Sequence, residues 1–187
     1  MFLPPGFSIA ANGQVYSADG RGPYPLNQAG FFFGRIGKAA LDLNIPSGQK
    51  VLLKFIVGVD TLLRNFGAIL DNGHAKVTLY KDGTPTGTFS ISLNTVKTNW
   101  SEDAPVYDFL NGIWATPPGS PSLASGVFLD SFRIKTANQA NQSQSVGGSV
   151  PTELGLGVGI YYALVENIGT GAVEGILSAL WEEVPNS

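Results

Sequence analysis

The sequence predicts an all-β fold, an antiparallel β-sandwich of jelly-roll-like organisation with about eight strands. Three observations carry this. Charged residues make up only 13% of the 187 residues, while 43% are apolar, which provides a core and argues against a charge-rich disordered chain. The 24 glycines and 12 prolines break the chain too often for a coiled coil or a helical bundle. The apolar residues recur mostly at every second position, the period of a half-buried strand.

Residues 1–30 read as an extended N-terminal arm. Pro4-Pro5-Gly6, Asn12-Gly13, Asp19-Gly20 and Gly22-Pro23 interrupt it every few residues. At most one short strand fits there, at Gln14-Val15-Tyr16-Ser17. Residues 31–187 read as a single sandwich domain. Phe31-Phe32-Phe33 opens it, and three consecutive aromatics on a strand place at least one on each face. Ala39, Leu41, Leu43 and Ile45 then alternate with Asp42 and Asn44 turned the other way, a half-buried strand closed by Pro46-Ser47-Gly48. Lys50 to Val59 is apolar on both faces and belongs in the middle of a sheet.

From Asp60 to Leu70 the apolar residues Leu62, Leu63, Phe66 and Ile69 or Leu70 fall at helical spacing. One or two helical turns are expected there, weakened by Gly67. A hairpin is expected next. Ala75, Val77 and Leu79 alternate on one strand, Phe89, Ile91 and Leu93 on the other, and Lys81-Asp82-Gly83-Thr84-Pro85 supplies the turn. Residues 94–125 read as a long loop carrying Trp100, Tyr107, Phe109, Leu110, Ile113 and Trp114. That many aromatics require packing against the domain or a partner. Gly126 to Thr136 is a strand whose apolar parity shifts, which predicts a bulge near Asp130-Ser131. Ala137 to Val150 is a polar, low-complexity connection.

A C-terminal hairpin is expected to close the domain, with its turn at Glu166 to Gly171 and its return strand at Ala172 to Glu183. In its first strand Leu154, Leu156, Val158, Ile160, Tyr162 and Leu164 share one face. Gly155, Gly157 and Gly159 share the other, where missing side chains permit close approach by another group.

The composition removes much chemistry. There is no cysteine, hence no disulfide, zinc finger, iron–sulfur site or cysteine nucleophile. The single histidine, His74, sits at a strand start and reads as a surface or structural residue. No G-x-S-x-G elbow is present to build a triad around it. Glu102-Asp103, Glu182-Glu183 and Asp130 are the candidate carboxylates, but neighbours on a strand face opposite ways and do not pair by adjacency. Asp71-Asn72-Gly73 and Asp82-Gly83 are turn chemistry rather than calcium ligands. Gly155-Leu-Gly-Val-Gly159 lacks the spacing of a phosphate-binding glycine loop. The reading is no enzyme, no catalytic residue, no metal and no cofactor.

The net charge of −3 and the scattering of 11 Lys and Arg speak against nucleic-acid binding. The N-terminus carries no basic, apolar leader and no window reaches membrane-helix length. The expectation is a soluble chain made in a cytoplasm, with no membrane partner. The sequons Asn99-Trp100-Ser101 and Asn141-Gln142-Ser143 read as chance matches.

The candidate functional residues are therefore apolar ones placed to contact a partner: Phe2, Leu3 and Phe7 in the arm, Phe31, Phe32 and Phe33 at the domain start, and Trp100, Tyr107 and Trp114 in the long loop. A loop tryptophan serves either as an interface anchor or as a sugar-stacking platform.

The segment Ile160-Tyr-Tyr-Ala-Leu-Val-Glu-Asn-Ile-Gly-Thr-Gly-Ala-Val-Glu-Gly-Ile-Leu-Ser-Ala-Leu-Trp-Glu-Glu resembles the closing hairpin of jelly-roll virion proteins of tailed bacteriophages. The resemblance covers about 25 residues. It implies a capsid cement or decoration protein, located in the virion and seated on the major capsid protein or other virion subunits. It also implies a homo-oligomer, trimer before dimer, with no catalytic residue to carry over. A receptor- or carbohydrate-binding fibre or lectin-like module is the alternative, and a minor capsid, spike-base or tail protein is another.

Overall fold

The computed structural model describes residues 7–9, 15–17, 36–93, 96–97, 113–139, 142–144, 146–149 and 154–183. Among them there is no helix. The strands in chain order are β1 (Phe7–Ile9), β2 (Val15–Ser17), β3 (Ile36–Ile45), β4 (Lys50–Val57), β5 (Thr61–Asn72), β6 (His74–Lys81), β7 (Thr84–Pro85), β8 (Ile91–Leu93), β9 (Val96–Lys97), β10 (Ile113–Ala115), β11 (Leu123–Ala124), β12 (Val127–Lys135), β13 (Ala137–Gln139), β14 (Gln142–Gln144), β15 (Val146–Ser149), β16 (Leu154–Leu156), β17 (Gly159–Asn167) and β18 (Val173–Glu183).

Two antiparallel sheets form the sandwich. One has the order β12-β6-β17-β4-β10-β8, and the other β15-β5-β18-β3-β9 with β16 also paired to β5. The pairing is nested. β3 pairs with β18, β4 with β17, β5 with β15 and β6 with β12. The chain is thus one long hairpin rolled up, with its first and last long strands side by side. The strand count exceeds the eight expected because β8, β9, β10 and β16 add two or three residues each. Runs that short carry no readable period.

The core fills the space between the sheets. Val51, Leu53, Phe55 and Val57 of β4 meet Ala163 and Val165 of β17, Val77 and Leu79 of β6, and Leu43, Leu70, Leu177 and Trp181 from the facing sheet. Trp181, Ile45, Leu52 and Leu70 are among the largest fully buried side chains. Burying each such side chain contributes about 1.5–3 kcal/mol.

Several expectations hold. β3 buries Ala39, Leu43 and Ile45 while Asp42 and Asn44 face water. β4 lies inside its sheet, flanked by β17 and β10. β12 carries its bulge between Phe128 and Asp130, one residue before the predicted place.

Others are corrected. Residues 60–70 are not helical: they form β5, the longest strand, with β18 on one edge and β15 and β16 on the other. Buried Leu63, Phe66, Ala68 and Leu70 mimic helical spacing because the register against β18 slips twice. The expected 74–93 hairpin does not form. Both edges of β6 are taken, by β12 and β17, and β8 pairs with β10 instead. Asp82 and Gly83 do turn the chain, with φ of 56° and 116°, but they send it out of the sheet.

The C-terminal hairpin is also not a hairpin. β17 and β18 lie in different sheets, so residues 168–172 cross the sandwich. Gly155 has open space where a Cβ would stand, and Gly157 meets only the Asp60 carboxylate at 3.8 Å. No close approach exploits these two glycines. The polar connection contains β13, β14 and the sandwich strand β15. The arm contains two paired strands, β1 and β2, rather than at most one.

A candidate interaction surface on the outer face of the six-stranded sheet

Strand parity decides what this sheet shows to the outside. In β4 the inward set is Val51, Leu53, Phe55 and Val57, so Lys50, Leu52, Lys54 and Ile56 point outward. By the same rule Tyr162 and Leu164 of β17 and Thr78 and Tyr80 of β6 point outward. Cross-strand register then sets up one row. Phe128 is opposite Tyr80, Tyr80 opposite Tyr162, Tyr162 opposite Lys54, Lys54 opposite Trp114, and Trp114 opposite Ser92. Six strands contribute one residue each, and four of the six are aromatic.

A flap covers the middle of this row. It is made from residues 82–90 and 116–125. Thr86 N donates to Ser122 O at 2.8 Å, and Ser122 N donates to Thr86 Oγ1 at 2.9 Å. Lys50 and Gly119 exchange backbone hydrogen bonds of 2.8 and 3.0 Å. Thr116 bonds to Leu52 through its backbone and through its hydroxyl. From the flap, Phe89 and Leu123 pack on Leu52, Tyr162 and Leu164 to form a second, smaller core. Burial, then the nearby Asp82 carboxylate, raises the Tyr162 pKa above the ordinary value.

Both ends of the row remain open. At one end Phe128 is 60% exposed and meets Tyr80 edge-on, with ring centroids 6.4 Å apart. Two strands away, on β17, Ile160 is also exposed on the outer face, and its carbonyl accepts the Asp82 N–H at 2.8 Å. At the other end Trp114 is half-buried. The Lys54 ammonium lies 5.5 Å from its ring centroid and 5.7 Å from that of Phe89.

No family model matches this chain, and no curated protein or solved structure matches it. The reading of the surface therefore rests on its own residues.

Of the residues singled out from sequence, Trp114 lies in this row and Phe7 lies in β1, paired with Ser17. Phe2, Leu3, Phe31, Phe32, Phe33, Trp100 and Tyr107 lie outside the described residues. Phe128, Tyr80, Tyr162, Lys54 and Phe89 were not anticipated as a group. Alternation exposes Tyr80 and Tyr162 as outward residues, but only the register brings them into line with Lys54 and Trp114.

The titratable residues are dispersed. Glu182 and Glu183 point to opposite faces, as adjacency predicts: Glu182 pairs with Arg64, while Glu183 is buried. Glu166 bridges Lys50 at 2.6 Å and Lys76 at 3.9 Å. Asp130 is engaged locally, accepting the Ser131 N–H at 2.7 Å. His74 starts β6 opposite Lys135. Among the described residues no three His, Asp or Glu cluster as a metal site would require. Glu102 and Asp103 lie outside the described residues. The cavity between the sheets, lined by Phe55, Leu63, Phe66 and Trp181 among others, measures about 30 Å³. That is room for roughly one water molecule.

Proposed function

We propose that this chain is a structural virion protein of the jelly-roll type, a capsid cement or decoration subunit that acts by surface contact. The observation that carries this reading is Phe128, an aromatic exposed on the outer face at the β12 edge of the six-stranded sheet, with Ile160 of β17 exposed on the same face. Large apolar side chains grouped on a surface mark an interface. An exposed aromatic braced edge-on by Tyr80 has the character of an anchor. The nested strand pairing supports the jelly-roll assignment, because rolling one long hairpin into two sheets yields that fold. The partners in this reading are other copies of the chain and the major capsid protein. The contact works by burying apolar area, without chemistry.

The test is re-attachment to gradient-purified virus particles from the source culture that have been stripped of the protein. The native chain is expected to be found in intact particles and to rebind stripped ones. Phe128→Ser is expected to weaken rebinding at least about tenfold, the loss of one anchor side chain, while the melting temperature stays unchanged. Absence of the protein from the particles, or equal rebinding by the variant, overturns the reading.

A further inference from the structure

We propose that copies of this chain associate head to tail, with the outer face of the six-stranded sheet of one copy seated on the outer face of the β5-β18-β3 sheet of the next. The inference concerns the contact between copies alone. It stands or falls apart from the virion reading, which is tested by rebinding to particles.

Three observations lead to it. The first is charge. On the outer face of the six-stranded sheet, strand parity places Lys50, Lys54, Lys76, Arg133 and Lys135, with Glu166 between Lys50 and Lys76. Glu166 engages those two lysines, and Asp130, in the β12 bulge, is engaged by the Ser131 N–H. Arg133 and Lys135 are exposed and have no carboxylate within ion-pair distance among the described residues. The other sheet reverses the balance. Asp42 and Glu174 are exposed on its outer face, and Asp71 is exposed at the register slip beside Glu174. None of the three has a cation within ion-pair distance among the described residues. Arg64 and Glu182 pair with each other, and Lys38 stands four residues along β3 from Asp42.

The second is position. β3 and β5 end where β4 and β6 begin, joined by residues 46–49 and by Gly73. Arg133 lies opposite Lys76, and Lys135 opposite His74 at the start of β6. Asp42 lies opposite Ile176, and Glu174 opposite Asn44 and Asn72, near the ends of β3 and β5. The basic and acidic groups therefore back onto each other through the thickness of one end of the sandwich. A copy shifted along that direction, without inversion, brings the basic group of one molecule against the acidic group of the next. A two-fold pairing of like faces would oppose acid to acid or base to base, so the contact is heterologous.

The third is the apolar centre. Ile69 and Ile176 lie directly opposite each other on β5 and β18, and they are 56% and 48% exposed. The complementary face offers the exposed Phe128 and Ile160. An apolar centre with a charged rim is the anatomy of a protein interface. The carboxylates around the isoleucines select a cationic partner surface. This chain carries both halves of the match, so a second copy satisfies both.

The full chain is followed by light scattering and sedimentation over a concentration series at about 0.02 M and about 0.5 M salt. The native chain is expected to associate at low salt, with an affinity at least about tenfold weaker at high salt. Arg133→Glu with Lys135→Glu is expected to stay monomeric where the native chain associates, and so is Asp42→Lys with Glu174→Lys. An equimolar mixture of these two variants is expected to associate again, because one presents two acidic faces and the other two basic ones. Ile176→Ser is expected to weaken association at least about tenfold and to keep its salt dependence. All of these positions are exposed, and thermal melts verify that each variant is folded. Three results overturn the proposal: a native chain that stays monomeric at both salt levels up to about millimolar concentration, charge-reversed variants that associate as the native chain does, or a mixture of the two folded variants that stays monomeric.

Discussion

The side-chain amide of Asn167 donates hydrogen bonds to the Ile45 and Gly171 carbonyls, each at 2.8 Å. Its oxygen accepts the Gly169 N–H at 2.9 Å. Asn167 ends β17 in one sheet and Ile45 ends β3 in the other. One buried side chain therefore joins the two sheets and shapes the crossing between β17 and β18. Replacing it with Ala leaves two carbonyls and one N–H without these partners. The expected cost of Asn167→Ala is about 2–3 kcal/mol. Scanning calorimetry is expected to show a melting temperature lower by roughly 5–10 °C. Asn167→Asp should be worse, because a carboxylate cannot donate to either carbonyl. A shift of under about 2 °C for the alanine variant would remove this residue from the account of sheet-to-sheet coupling.

Gly175 is the position where backbone approach excludes a side chain. Its φ is +151°, and a Cβ there would stand 2.8 Å from Leu70 Cα and collide with the Ile69 carbonyl. The register between β18 and β5 shifts at this point, so the glycine permits the bulge that keeps the strands in contact on both sides of it. Gly175→Ala is expected to destabilise by about 2–4 kcal/mol, read as a lower urea midpoint. Gly155→Ala provides the contrast. It adds a methyl into open space and should change stability by less than about 1 kcal/mol. Similar losses at the two positions would refute the close-approach argument.

These two residues show what the sequence does and does not disclose. Alternation identified β3, β4, the bulged β12 and the all-β class, because each of those strands has one or both faces committed to the core. It did not disclose pairing. The run from Leu154 to Leu164 alternates without a break, yet Leu156 lies in β16 on β5 and Tyr162 in β17 of the other sheet. Side-chain parity is blind to a chain that changes sheets at a glycine. Asp82-Gly83 marked a true turn, but a turn does not say which strand lies beyond it. Trp114 was visible as an aromatic needing a partner. Its alignment with Lys54, Tyr162, Tyr80 and Phe128 depends on the register of four strand pairs, a long-range property that no local pattern encodes.

Alkaline stability gives a separate check on how the sheets are packed. Tyr161 is buried, stacks on Phe55 at 5.6 Å between ring centroids, and donates its hydroxyl proton to Gly157 O at 2.8 Å. Burial, then the carboxylates of Asp82 and Asp60, push its pKa above the ordinary 10.0, and Tyr162 is raised by burial and Asp82. The sign follows from the linkage. With the folded pKa above the unfolded one, the unfolded chain releases these protons first as pH rises. The stabilisation is therefore complete below about pH 10 and is lost progressively above it. The slope reaches at most about 1.4 kcal/mol per pH unit for each proton retained by the fold. The urea midpoint is expected to be flat from about pH 8 to 9.5 and to fall above about pH 10. Tyr161→Phe removes one of the two phenols, so its midpoint should fall less steeply above pH 10, even though it starts lower for want of the Gly157 hydrogen bond. Parallel curves for the native chain and the variant would show that Tyr161 ionises no later in the fold than outside it.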